Sequence, residues 1–270
     1  MFRCSVSNIA WNEREDALVY QKMKKYGFTG LEIAPTRVIP DGPYDQKEKA
    51  HEWSERRKKE DGLQVVSMQS IWYGNTCRLF GTEAEREALK EYTRKAIDFA
   101  EAVNCTNLVF GCPKNRNLEH LEDYELCLSF FHSIGDYAQS HGAVFAIEAN
   151  PVIYGTNFIN TTREAAELVR RIDSPGIGVN LDLGTMIYYE ESVDEIEDCA
   201  DLIHHVHISE PNLRPIQKRS LHQDLRAFLD GWYEGYVSVE MKRPDSLDEL
   251  DSCMRYTADV FLKDGKAETE

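Results

Sequence analysis

The chain has 270 residues, of which 31 are Lys or Arg and 47 are Asp or Glu, for a formal charge of −16. An acidic excess of that size works against non-specific nucleic-acid binding and against anionic membranes. With 42% hydrophobic and 29% charged residues, the composition is that of an ordinary globular chain, neither disordered nor fibrous. No apolar run approaches the ~18 residues of a membrane span. The amino terminus, Met1-Phe2-Arg3-Cys4-Ser5, lacks the charged-then-apolar layout of a secretory leader, so the expectation is a cytoplasmic protein. Seven cysteines, from Cys4 to Cys253, are scattered without a C-x-x-C pair, which reads as reduced thiols rather than a disulfide frame or zinc knuckle.

Eight short β-rich runs recur in chain order: 2–8 (FRCSVSN), 29–34 (TGLEIA), 63–69 (LQVVSMQ), 106–111 (TNLVFG), 144–149 (VFAIEA), 177–182 (IGVNLD), 203–208 (IHHVHI) and 236–241 (YVSVEM). Segments of helical period separate them, such as Leu89, Tyr92, Ala96, Phe99 and Val103, or follow them, such as Leu247, Leu250, Met254, Ala258 and Phe261. A Ser or Thr three residues ahead of Glu or Gln satisfies two orphan amides at a helix start. Five such pairs follow strands: Thr82 with Glu85, Thr161 with Glu164, Ser192 with Glu195, Ser220 with Gln223, and Ser246 with Glu249. Gly27, Gly62, Gly142 and Gly176 each stand just before a strand, where a helix ending in a left-handed residue favours glycine. Helix-to-strand joints are short, whereas the strand-to-helix joints at 34–45, 70–82, 150–161 and 209–219 are long and irregular. The pattern predicts an α/β fold, a (β/α)8 TIM barrel forming a single domain over 1–270, with its active site at the carboxyl ends of the strands. An open doubly wound sheet is the alternative, but no glycine fingerprint follows any strand and eight units is the closing number. The polar tail from Lys263 to Glu270 has no apolar anchor and is expected to be unfolded.

The late strands each end in an ionisable group: Glu148 on the fifth, Asp182 on the sixth, His207 on the seventh and Glu240 on the eighth. Such groups at the ends of apolar runs cost several kcal/mol to bury unless a partner compensates them. Consecutive barrel strands converge these side chains, and a divalent cation resolves the repulsion of three carboxylates. Three oxygen donors and one imidazole suit one divalent ion, Mn²⁺ first, with Mg²⁺, Co²⁺ or Zn²⁺ as the other candidates. The ligand charge of −3 plus +2 leaves −1, compatible with a neutral polyol. Ordinary polar strand ends paired to Lys or Arg are the plainer alternative.

The segments Ile147-Glu148-Ala149-Asn150, Asn180-Leu181-Asp182-Leu183-Gly184, His205-Val206-His207-Ile208-Ser209-Glu210-Pro211 and Val237-Ser238-Val239-Glu240-Met241-Lys242 resemble the xylose-isomerase-like TIM-barrel superfamily, in its sugar phosphate isomerase/epimerase branch that includes ketose 3-epimerases. With Leu31-Glu32 on the second strand, the resemblance spans nearly the whole chain. It implies that Glu148, Asp182, His207 and Glu240 bind the metal. It also implies that Glu148 and Glu240 act as an acid/base pair on opposite faces of a sugar, passing a carbon-bound proton through a metal-stabilised enediolate. Two positions depart from the ketose epimerases: Thr185 stands where they have a His, and Leu213 where they have an Arg, with Arg214 one step later. A branch of three-zinc DNA-repair endonucleases needs further His ligands, where this chain has Asn8, Glu32 and Gln69.

Weaker candidates for substrate contact surround this set. Glu32 is expected at the rim of strand two, reaching sugar hydroxyls or pairing with Arg37, and His205 lies one layer below His207 as a core or supporting histidine. Arg214, Arg219 and His222 follow the seventh strand, and Lys242 follows Glu240 by two residues and so points the same way. Trp11, Trp72 and Tyr73 are positioned to wall the barrel mouth. The reading is a metal-dependent isomerase or epimerase of a sugar or related polyol, with a small-molecule substrate, no nucleic-acid or membrane partner, and the homodimer that the resemblance suggests. A dehydratase or lyase of a cyclic polyol, and a non-catalytic sugar binder, are the alternatives.

Overall fold

A computed structural model describes residues 2–120 and 123–263. Its elements run β1 (Arg3–Ser7), α1 (Asp16–Tyr26), β2 (Gly30–Ile33), α2 (Pro35–Val38), α3 (Lys47–Asp61), β3 (Gln64–Met68), α4 (Glu83–Ala102), β4 (Asn107–Phe110), α5 (Tyr124–Ser140), β5 (Val144–Glu148), α6 (Thr162–Ile172), β6 (Ile177–Asp182), α7 (Leu183–Tyr189), β7 (Ile203–Ile208), α8 (Ser220–Leu229), β8 (Tyr236–Val239) and α9 (Leu247–Phe261). Consecutive strands pair in parallel and the sheet closes on itself, with Arg3 to Val6 of β1 in register with Tyr236 to Val239 of β8. The eight predicted runs are the eight barrel strands. The tail beyond Lys263 lies outside the described residues.

The helices form for the local reasons legible in sequence. Thr82 and Thr161 complete reciprocal capping boxes with Glu85 and Glu164, and the Ser246 hydroxyl accepts from the Glu249 amide. The other two pairs behave differently. Ser220 is already the first helical residue, behind Arg219. Ser192 leads into a 3-10 stretch, Asp194–Leu202, in which Glu195 bonds back to the Ser192 amide at 2.7 Å. Gly27 and Gly62 end their helices in the left-handed conformation. Gly176 does not: Asp173 is the left-handed residue at the end of α6. Gly176 is needed for close packing, since a β-carbon there would lie 1.9 Å from the Gly135 carbonyl oxygen of α5.

Alternation along the strands sets two environments. Cys4, Val6, Leu31, Ile33, Leu108 and Phe110 are buried in the hydrophobic core, with the inner faces of helices such as Leu89, Ala96, Phe99 of α4 and Met254, Phe261 of α9. Around β4, Phe110 packs edge-on against Trp72 and Phe131 at 5.0 Å. Full burial of each such ring stabilises the fold by about 1.5–3 kcal/mol. The opposite strand face carries Ser5, Ser7, Glu32, Ser67, Asn107, Asn180, His205, His207 and Ser238, all buried. These bond to one another, as in Asn107 to Ser67 at 2.9 Å and Gln69 to Ser7 at 3.2 Å. Buried polar groups on this scale persist only when paired, which makes the interior a rigid polar scaffold below the loops.

Gly176→Ala is expected to lower the unfolding free energy by about 3 kcal/mol, because the added methyl meets backbone rather than a movable side chain. Urea denaturation of the variant measures this, and unchanged stability would contradict the packing described.

Candidate metal centre

Glu148 and Asp182 are the last residues of β5 and β6, and His207 is the penultimate residue of β7. Glu240 directly follows β8, and its amide donates to the Ile208 carbonyl at 3.0 Å, which extends the ladder by one residue and fixes the side chain's direction. One donor atom from each of Glu148, Asp182, His207 and Glu240 lies within 4.8 Å of the others. All four are buried, His207 completely.

The imidazole of His207 determines what this cluster can hold. Its Nε2 lies 2.8 Å from Glu32 Oε2. An ionised carboxylate only accepts hydrogen bonds, so Nε2 carries the proton. Burial alone would favour a neutral Glu32, but the charges and donors of His207 and His205 outweigh it and keep that carboxyl well below its usual range. Nδ1 faces the other way, 2.9 Å from Glu148 Oε1 and 3.2 Å from Glu240 Oε2. It is buried and aligned for a hydrogen bond with neither. Three carboxylates and an orphaned ring nitrogen converging on one point fit a divalent cation, and Glu32 behind the ring gives the carboxylate–histidine support typical of such sites.

Without a cation the cluster retains protons. Burial and the charge of Glu148 raise Asp182 to about 6, although His207, Ser209 and the Thr185 amide pull the other way. Burial, together with Glu148 and Glu32, raises Glu240 to about 7 against the influence of His207. Burial disfavours a charged His207, yet Glu32, Glu240 and Glu148 outweigh it and hold the ring well above its ordinary value.

Several residues that sequence reasoning left without roles hold these groups in place. Asn180 donates to Glu148 Oε1 at 2.7 Å and Asn150 donates to Oε2 at 2.9 Å. The Thr185 amide and hydroxyl donate to Asp182 Oδ1 at 2.7 and 3.0 Å, while the Ser209 hydroxyl takes Oδ2. Thr185 therefore fastens a carboxylate at the position where the ketose epimerases carry a His. Arg116, fully buried, donates to the Glu148 carbonyl at 2.9 Å and also bonds the carbonyls of Phe110 and Ile159. Asn150, Asn180 and Ser209 stand inside the strand-end segments quoted above, and that adjacency was their only sequence signal.

A cavity of about 570 Å³ opens above Glu148, Asp182 and Glu240, lined further by Ile9, Trp72, Tyr73, Lys114, Asn150, Tyr154 and Leu213 among others. Of the residues expected to meet substrate, Trp72 lines this cavity, its ring held from behind by a bond to Thr93 at 2.8 Å. Tyr73 also lines it, whereas Trp11 turns to Asp16 at 2.7 Å. The other expected contacts are not among the lining residues. Glu32 lies beneath the cluster with no exposed surface, and Arg37 pairs with Asp16 instead. His205 is buried against Ser238 at 2.9 Å. Arg219 is held by Glu210 through two bonds of 2.7 and 2.5 Å, and His222 is buried against Tyr256 at 2.9 Å. Arg214 and Lys242 are exposed. The β8 ladder ends at Glu240, so the two-residue rule expected for Lys242 no longer sets its direction. Asn8 and Gln69, at the endonuclease ligand positions, bond Ala34 and Ser7.

Residues 20–259 match the family described as xylose isomerase-like TIM barrel, and the chain belongs to that family. No curated protein matches the chain. Among solved structures, the D-psicose 3-epimerase of Clostridium cellulolyticum H10 with D-tagatose is similar at a TM-score of 0.80 and 16% identity, over 96% of this chain and 97% of that one. The apo 3-keto-D-glucoside 4-epimerase of E. coli is similar at 0.74 and 18% identity, over 95% and 99%. An AP endonuclease, family 2, of Brucella melitensis is similar at 0.74 and 21% identity, over 96% and 99%. At these identities the likeness is one of fold.

Loading a divalent ion must displace the protons held near Asp182, Glu240 and His207, so metal affinity is expected to fall as pH drops through 7 and 6. The fall is about tenfold per pH unit for each proton displaced. Mn²⁺ titration calorimetry between pH 8 and 5.5 measures it, and a constant affinity would contradict the ligand set.

Proposed function

We propose that the chain is a divalent-metal-dependent isomerase or epimerase of a sugar or related polyol, with Glu148 and Glu240 exchanging a carbon-bound proton. The observation that carries this reading is the His207 Nδ1 set between the Glu148 and Glu240 carboxylates at 2.9 and 3.2 Å, under a cavity that both carboxylates line. The sugar epimerases among the similar structures support it as analogy of fold.

Glu148, Asp182, His207 and Glu240 would hold the ion. When bound, it would polarise a substrate carbonyl and its neighbouring hydroxyl, acidifying the adjoining C–H. Glu148, with both oxygens fixed by asparagine donors, is arranged as a positioned base. Glu240 has no such amide partners, and its place across the cluster from Glu148 suits it to return a proton to the other face. Trp72 supplies an apolar wall, and the cavity volume accommodates a monosaccharide-sized ligand. The substrate is a small polyol and the acting form is the metal-loaded chain, with Mn²⁺ first among candidate ions.

Glu148→Gln and Glu240→Gln should each abolish incorporation of solvent deuterium into a ketose carbon while leaving cooperative thermal unfolding in place. A screen of ketoses in deuterated buffer by NMR reads this, and exchange retained by both variants would overturn the two-carboxylate reading.

A further inference from the structure

The cavity holds one more built feature beside Glu148. Asn150, 7% exposed and lining the cavity, places its Nδ2 between two acceptors, Glu148 Oε2 at 2.9 Å and the Ala149 carbonyl at 3.0 Å. Turning the amide over would set an oxygen against two oxygens, so the orientation is fixed by its partners. The Asn150 backbone is held as well: its amide donates to the Ile159 carbonyl at 3.0 Å and its carbonyl accepts from Asn160 at 2.8 Å. Oδ1 is consequently the free end, and it is buried without a partner. An unpaired buried acceptor destabilises a fold unless a ligand or water completes it.

Gly111 shows where that completion occurs. It lines the same cavity, and a β-carbon on it would fall 2.7 Å from Glu148 Oε2 and 3.5 Å from Asn150 Oδ1. Any side chain at 111 would occupy the space that both oxygens border. A ligand atom seated over Gly111 therefore meets a carboxylate oxygen and a neutral amide oxygen together. A neutral acceptor beside a carboxylate calls for a donor without negative charge, and on the small polyol proposed above that donor is a hydroxyl.

We propose that Asn150 and Gly111 form a hydroxyl-reading subsite, in which Asn150 Oδ1 accepts from the substrate hydroxyl on the carbon next to the one facing Glu148. This inference rests on the isomerase reading and narrows it, because the substrate must be a polyol carrying a free hydroxyl at that carbon. Asn150 acts as a specificity residue through Oδ1 and as a positioning residue for Glu148 through Nδ2.

The test uses the Mn²⁺-loaded chain, a ketose that exchanges deuterium at C3, and the 4-deoxy analogue of that ketose. Wild type should lose at least about tenfold in kcat/KM on the deoxy analogue, since a buried acceptor is left unpaired. Asn150→Ala should bring that ratio close to one, whatever overall loss in kcat/KM follows from freeing Glu148 Oε2. Gly111→Ala, whose methyl crowds both Glu148 Oε2 and Asn150 Oδ1, should abolish ketose binding by calorimetry. If wild type handles ketose and deoxy analogue alike, or if Asn150→Ala keeps the wild-type ratio, the subsite is refuted and the isomerase reading stands. If Asn150→Ala does not fold, ketose affinity unchanged in Gly111→Ala refutes the subsite. If wild type neither binds nor exchanges any ketose, the isomerase reading itself falls and the inference falls with it.

Discussion

The bond between His207 Nε2 and Glu32 orders everything above it. A fully buried imidazole surrounded by carboxylates can be neutral or doubly protonated, and it can point either nitrogen at either neighbour. Glu32, equally buried and 2.8 Å away, removes most of that freedom by keeping a proton on Nε2. What remains is an Nδ1 directed at the Glu148 and Glu240 carboxylates, in a region where neither a lone pair nor three negative charges can be left uncompensated. Protons compensate them in the metal-free chain. A divalent cation held by the same four residues would compensate them instead and would leave the carboxylates ionised.

The barrel makes that bond affordable to the fold. Glu32 belongs to β2 and His207 to β7, separated by 175 residues in sequence, and only a closed sheet brings their side chains together in its interior. The contact continues downward from Glu32 to His205, then to Ser238 and Ser5. Amides of Asn150 and Asn180 brace Glu148, and Thr185 with Ser209 braces Asp182. These bonds fix the directions of the Glu148 and Asp182 carboxylates, as metal ligation and proton transfer both demand.

The strands, most helix starts and the converging quartet were legible because each leaves a local trace: an apolar run, a Thr-x-x-Glu box, an ionisable residue at a strand end. The misread features depend on what meets them across the fold. Glu32 looked like a rim residue because alternation gives a face but not the partner waiting on it. Gly176 looked like a helix cap, yet its small size serves the Gly135 carbonyl of a different helix. Arg219 and His222 looked available, but Glu210 and Tyr256 occupy them. Asn150 and Asn180 carry no spacing signature at all; their roles come from the direction of an amide toward one carboxylate.

The most direct test of the account is pulsed EPR of the chain titrated with Mn²⁺, in natural abundance and with ¹⁵N-histidine. The account predicts one ion per chain, with coupling to a single histidine nitrogen that disappears in His207→Ala. An ion bound without histidine coupling, or coupling that survives in His207→Ala, would contradict it.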